Sequence, residues 1–252
     1  MWVTSPLLAG LPVIHAFSTR AGGVSEGPWA ELNLGATVGD DPVAVAENRR
    51  RFRAALHLPP LAEVSQIHGA GVVRARSEDT RTLEADAVWT DRPGLAVGVR
   101  TADCAPILVA ALDAVGEVRA VAAIHAGWRG VAAGVVPDCV AALAADGLAP
   151  DRMVAAVGPC IGPEAFEVGA EVVEAVEAAL AGPARTRPGP AGRPLLDLSD
   201  AVVRQLERAG LRPEWIDALG LCTHTDRERF FSHRRDHGRT GRHLAAIARG
   251  AR

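Results

Sequence analysis

The chain has 252 residues, 48% of them apolar and 23% charged, with a formal net charge of −3. This is ordinary globular composition at a length that buries a core without staples, and one catalytic domain over 1–252 is expected. The charge balance gives no electrostatic case for nucleic acid or an anionic membrane surface, and no apolar run reaches the ~20 residues that span a bilayer.

All 27 basic residues are Arg; Lys and Tyr are absent. An anion site must therefore use Arg or backbone N–H groups, and Schiff-base lysine chemistry is ruled out. Residues 1–6 lack the basic-then-apolar pattern of a secretory signal. Cys104, Cys139, Cys160 and Cys222 form no CxxC pair and read as reduced thiols of a cytoplasmic protein.

In chain order, short Val-, Ile- and Ala-rich runs bounded by turn residues predict strands at 13–18, 72–74, 87–90, 95–101, 107–112, 119–125, 153–157 and 218–222. Helices are expected at 43–56, 131–145, 170–179, 199–209 and 241–249, with Ser199 and Asp200 capping the fourth and Gly210 stopping it. Helices and strands mix without strict alternation. That predicts an α/β (α+β) fold of mixed sheet with helices packed on it, not a doubly wound one. Neither G-x-G-x-x-G nor a Walker A sequence occurs. The Pro- and Gly-rich stretch 182–194 reads as a surface excursion.

Reactive residues fall at Gly- or Pro-punctuated strand ends, where scaffolds display catalytic groups. His68 lies in Gln66-Ile67-His68-Gly69. Cys104 lies in Thr101-Ala102-Asp103-Cys104-Ala105-Pro106. His125 opens His125-Ala126-Gly127-Trp128-Arg129-Gly130. Two imidazoles and a thiolate suit a catalytic zinc site with an open fourth position. They equally suit a metal-free hydrolase with Cys104 as nucleophile and one His as base. Asp103 is by position a candidate for proton transfer.

Three further segments carry chemistry or turns. The run Phe230–Arg242 is basic and leads into the last expected helix, which Thr240 would cap; Arg234 and Arg235 beside such an N-terminus would hold an anion. On composition alone a solvated basic turn, balancing nearby Asp and Glu, explains the run better. Ser18-Thr19-Arg20-Ala21-Gly22-Gly23 and Asn33-Leu34-Gly35 form either a ligand-facing turn or a structural hairpin. In Gly158–Val168, Cys160 packs, and Glu164 is either exposed or catalytic.

Together these segments resemble the bacterial proteins called polyphenol oxidase or multicopper laccase-domain (YfiH-like) proteins, relatives of human FAMIN. The resemblance covers nearly the whole chain. It implies helices around mixed β-sheets, similar to the catalytic domain of cytotoxic necrotising factor. It implies zinc on His68, Cys104 and His125, with copper as the older alternative. It implies phosphorolysis of purine nucleosides (adenosine, inosine, methylthioadenosine) with phosphate as co-substrate, and adenosine deamination alongside. Substrate contacts are expected from Arg20, Asn33, Arg129, Arg234 and Arg235. The competing readings are the Cys-His hydrolase, a copper-dependent polyphenol oxidoreductase, and a non-enzymatic metal-binding regulator. Eight scattered histidines speak against several coppers.

Overall fold

A computed structural model describes residues 1–190 and 192–250. In chain order the elements are β1 (Trp2–Val3), α1 (Pro6–Ala9), β2 (Val13–Ser18), α2 (Pro42–Leu56), β3 (Leu61–Ala62), β4 (Val72–Arg74), β5 (Ala87–Thr90), β6 (Ala96–Thr101), β7 (Ala105–Leu112) and β8 (Val118–Ala126). There follow α3 (Trp128–Ala133), α4 (Val135–Ala145), β9 (Met153–Val157), α5 (Ala170–Leu180), β10 (Thr186–Pro188), β11 (Pro194–Leu196), α6 (Leu198–Arg208), β12 (Ile216–Ala218) and β13 (His243–Arg249). They build a five-stranded sheet, β1-β2-β13-β6-β3, and a six-stranded sheet, β12-β9-β7-β8-β5-β4; β10 and β11 pair separately. Both large sheets are mixed, because β3–β6, β4–β5 and β9–β12 pair in parallel.

Side-chain alternation decides the layers. On β7, Leu108 and Ala110 meet Phe17, Val97, Val99 and Ile247 of the other sheet. Ile107 and Val109 point the opposite way, onto Val136, Val140 and Leu143 of α4, Val176 of α5, and Val202 and Leu206 of α6. The outer face of the five-stranded sheet presents Ala16, Ala96, Leu244 and Ala246 to Phe52 of α2. The order is helix, sheet, sheet, helices, the mixed-sheet sandwich that the sequence led us to expect. Each fully buried Leu, Ile or Val contributes roughly 1.5–3 kcal/mol of transfer free energy. No helix among the described residues is long and apolar enough to cross a membrane.

Several expectations need correction. Residues 241–249 are not a helix: β13 is the central strand of the five-stranded sheet, antiparallel to β2 and β6, with Ala245 opposite both Phe17 and Val99. Alanine favours helix when nothing else intervenes. Here both faces are buried, so the strand shows no polar alternation. Thr240 consequently caps no helix; its hydroxyl donates to Asp236 Oδ2 at 2.9 Å. The expected helix 131–145 divides at Gly134, whose φ of +89° suits glycine. Asp197, rather than Ser199 or Asp200, caps α6, accepting from the Asp200 N–H. Gly210 follows that helix with φ +103°, as expected. The strand expected at 218–222 ends at Ala218, and Cys222 is left in an isolated bridge with Cys160. The stretch 182–194 holds the β10–β11 ribbon; Ala191 lies outside the described residues.

Candidate metal centre and its pocket

The chain passes from one sheet to the other between β6 and β7, and Cys104 sits at that crossing. Antiparallel pairing of β7 with β8 places Pro106 opposite His125, near the end of β8. His68 comes from the loop between β3 and β4. Asp103 and His68 both adopt left-handed backbone, φ +85° and +61°, a conformation that non-glycine residues adopt mainly where surroundings enforce it. The enforcing contacts are explicit. Asp103 Oδ1 accepts from the Thr223 hydroxyl (2.6 Å), and Oδ2 from the Ser232 hydroxyl (3.0 Å) and the Arg234 N–H (2.7 Å). With its oxygens held this way, Asp103 anchors the loop beside Cys104, a different task from the proton transfer its position suggested.

Asp86, fully buried at the start of β5, does the equivalent for the imidazoles. It accepts the N–H groups of Ile67 (3.2 Å), His68 (2.9 Å) and Gly69 (2.7 Å). It also accepts from His125 Nδ1 at 2.7 Å, which fixes the proton on Nδ1 and leaves Nε2 free as a ligand. Burial alone would raise the Asp86 carboxyl; the His125 imidazole and the N–H groups of Gly69 and His68 outweigh it and hold it below its ordinary range. Asp86 escaped the sequence reading. Its signal was an acidic residue at the head of an otherwise apolar strand.

The donor atoms of His68, Cys104 and His125 all lie within 4.8 Å of one another. Cys104 Sγ is 3.9 Å from His68 Nε2, and the two rings meet edge-on at 4.8 Å. Burial would push the Cys104 thiol up, but His125 and His68 bring it down to about 6. Burial would lower the His125 pKa, but Cys104 and Asp86 hold it at about 9. Without a metal, a Cys104 thiolate beside a protonated His125 is thus favoured, and a bound metal would take the place of the His125 Nε2 proton. Zinc bonds of ~2.0–2.3 Å put neighbouring ligand atoms roughly 3.5 Å apart, so this donor set fits a metal ion with little closure. Gly127 leaves room for the cluster: a Cβ there would stand 2.8 Å from Cys104 Sγ and 3.2 Å from His68 Cδ2.

The cluster lies where two cavities meet. The larger, about 490 Å³, is lined by polar groups including Gln66, Arg100, Arg129, His233 and Arg242. The smaller, about 230 Å³, is walled by Trp128, Ile161, Phe166 and Leu198, with Arg234 at its edge. Both share His68, Cys104, Arg129 and His233.

Of the expected substrate contacts, Arg129 and Arg234 line these lobes. The other three are engaged elsewhere. Arg20 donates to the carbonyls of Ala30 and Arg227 and stacks over Phe231 at 4.8 Å. Arg235, with 7% of its side chain exposed, donates to the carbonyls of Thr223, His224 and Phe230 and pairs with Asp236. Asn33 is fully buried and accepts the N–H groups of Gly35 and Arg242. Each satisfies backbone groups that would otherwise be orphaned. Glu164 is exposed and pairs with Arg187. Cys160 packs in the core, as expected, and burial pushes its thiol up. Sequence reasoning singled out neither Arg100 nor Arg242 as pocket residues.

The model of the multi-copper polyphenol oxidoreductase laccase family matches residues 14–250. A purine nucleoside phosphorylase of Pseudomonas aeruginosa is 43% identical over 98% of this chain and 97% of its own length. A purine nucleoside phosphorylase of Deinococcus radiodurans is 42% identical over 96% and 92%. The crystal structure of YlmD from Geobacillus stearothermophilus superposes with a TM-score of 0.91 at 34% identity, covering 99% of this chain and 96% of that one. The chain belongs to the multi-copper polyphenol oxidoreductase laccase family.

Proposed function

We propose that the protein is a zinc-dependent purine nucleoside phosphorylase acting on adenosine, inosine and methylthioadenosine, with adenosine deamination as a second reaction. The observation that carries this reading is the His68–Cys104–His125 cluster at the meeting point of a polar and an aromatic-walled lobe. The names of the relatives give the substrate class. The donors are two imidazole nitrogens and a thiolate, a set that suits zinc once it displaces the proton of His125 Nε2; one three-donor cluster among the described residues speaks for one ion rather than several coppers.

Zinc held there supplies Lewis acidity toward an oxygen of substrate or water. The residues do the rest. Asp86 fixes the ligand orientations. Trp128 and Phe166 offer apolar surface for a purine. Arg129 and Arg234 supply cations at the lobes. In phosphorolysis a phosphate oxygen bonds to C1′ of the ribose as the C1′–N9 bond breaks. The electron pair leaves on the purine, which takes a proton from water, giving free base and ribose 1-phosphate.

The lowered Cys104 pKa beside His125 also favours the metal-free Cys-His hydrolase, so the test must separate the two. Purified holoenzyme is incubated with adenosine, with and without phosphate, and its metal is measured. Adenine formed only with phosphate, in a protein carrying about one zinc per chain, is expected; inosine formed without phosphate reports deamination. Full activity in metal-free protein would replace the reading with the hydrolase, and turnover of no nucleoside would end it.

A further inference from the structure

The two lobes differ in charge as well as polarity. Among the described residues no carboxylate lines the larger one, yet three arginines do: Arg100, Arg129 and Arg242. Arg100 is incompletely neutralised. Its only carboxylate partner among the described residues, at 3.4 Å, is Glu63, and that buried group is shared with Arg49 and Arg81. One negative charge cannot balance three guanidiniums. Arg242 makes no direct ion pair with a carboxylate among the described residues; Cys104 and Asp103 act on its charge only from further away. Its Nη1 donates to the carbonyls of Thr240 and Gly241, and Nη2 stands 3.5 Å from His233 Nδ1. Such unbalanced positive charge in a concave, half-enclosed space attracts an anion.

Arg242 is also held in place with unusual care. Asn33 Oδ1 accepts its N–H at 2.8 Å, and its carbonyl accepts from the Leu34 N–H at 3.0 Å. Gly35 packs so closely that a Cβ there would lie 2.7 Å from Arg242 Cγ. The buried Asn33, expected to touch substrate, therefore acts on the backbone of the residue that faces the cavity.

We propose that the larger lobe is a seat for inorganic phosphate, held by Arg242 with Arg129 and Arg100, and that residues 33–35 are the clamp that aims Arg242 into it. Naming phosphate as the anion rests on the phosphorylase reading; the anion seat rests on the charge and geometry of the lobe. Thr37 lines the same lobe and offers a hydroxyl, and Gln66, paired at both ends with the backbone of Arg100, holds that arginine in place. At about 490 Å³ the lobe has room for a pentose beside the anion.

Two variants of the zinc-loaded protein test this. Arg242→Gln removes the charge. Gly35→Ala keeps it and shifts the side chain, so that a folding failure in the first leaves the second to decide. Thermal unfolding is followed with inorganic phosphate alone, against chloride at matched ionic strength. Phosphate should raise the midpoint of the wild type by roughly 2 °C or more, as binding to the native state requires. That shift should vanish in Arg242→Gln and shrink in Gly35→Ala, with zinc content unchanged. In turnover, the KM for phosphate should rise at least about tenfold in Arg242→Gln, as for loss of a charge-assisted contact, while the nucleoside KM stays within about twofold. Equal phosphate protection in wild type and both variants, or no protection of the wild type, overturns the seat. Protection lost as described in a protein that phosphorolyses nothing sustains the seat and removes the phosphorylase reading instead.

Discussion

The candidate metal centre and the segment Phe230–Arg242 use similar residues in opposite ways. The centre draws three residues from two loops and the end of a strand and makes them neighbours, through strand register and one carboxylate shared by the two histidines. The segment is continuous, yet adjacent residues have different fates. His233 lines both lobes and Arg234 the smaller, whereas Arg235 turns inward to hold three carbonyls. Convergence in space makes a site; a run of charge in sequence does not. A buried guanidinium among carbonyls is architecture even when it sits one residue from the pocket.

The comparison breaks most sharply at the centre. Cys104→Ser should abolish stoichiometric zinc and lower phosphorolysis by about 10³-fold or more, as removal of a principal ligand implies, measured by elemental analysis and product assay. Wild-type activity in this variant would discard the cluster as the site. Next comes Asp86→Asn, which sets an amide against N–H donors already in place. Zinc affinity should fall roughly 10–100-fold, read by competition with a chelator, with the fold retained in circular dichroism. Unchanged affinity would show that the buried carboxylate does not orient the imidazoles.

Within the basic segment the expected contrast is between neighbours. Arg235→Met should cost about 3 kcal/mol of stability in denaturant unfolding, since it orphans carbonyls and half-strands Asp236. Arg234→Met, at a more exposed position, should cost within about 0.5 kcal/mol. Equal losses would erase the division between architecture and pocket.

A prediction of a different kind concerns acid. His243 is buried, accepts the Phe231 N–H at 2.8 Å, and is held at about 3 by burial. The unfolded imidazole binds its proton near pH 6.5, so its share of stability is complete above that pH and is lost as pH falls toward 3. Replacing it by an uncharged acceptor, His243→Gln, should flatten the slope of unfolding free energy between pH 6 and 4 by about 1.4 kcal/mol per pH unit. An unaltered slope would mean that His243 is protonated in the native state.

What the sequence disclosed follows from the same division. The three clustered residues were legible as candidates because rare reactive side chains stood at Gly- and Pro-marked strand ends, and each strand end is a local property. Most strands were legible for the same reason. Asp86 was not, because its role is defined by N–H groups of residues 67–69 and by His125, which only the fold brings near. Arg242 was hidden inside a basic run whose members look alike until burial separates them. β13 was misread because a strand buried on both faces loses the period of two, and its alanines then favour the wrong element.

The position of β13 has a consequence for synthesis. It lies between β2 and β6, pairing with both, yet residues 243–249 leave the ribosome after every other strand of that sheet. Until they arrive, the sheet exists as two unjoined pieces with open edges, the kind that recruit foreign strands. Arg242 is delivered in the same stroke, on the residue that precedes the strand. A nascent chain therefore waits, vulnerable, for residues 242–249, and closing the sheet and furnishing the pocket are a single event.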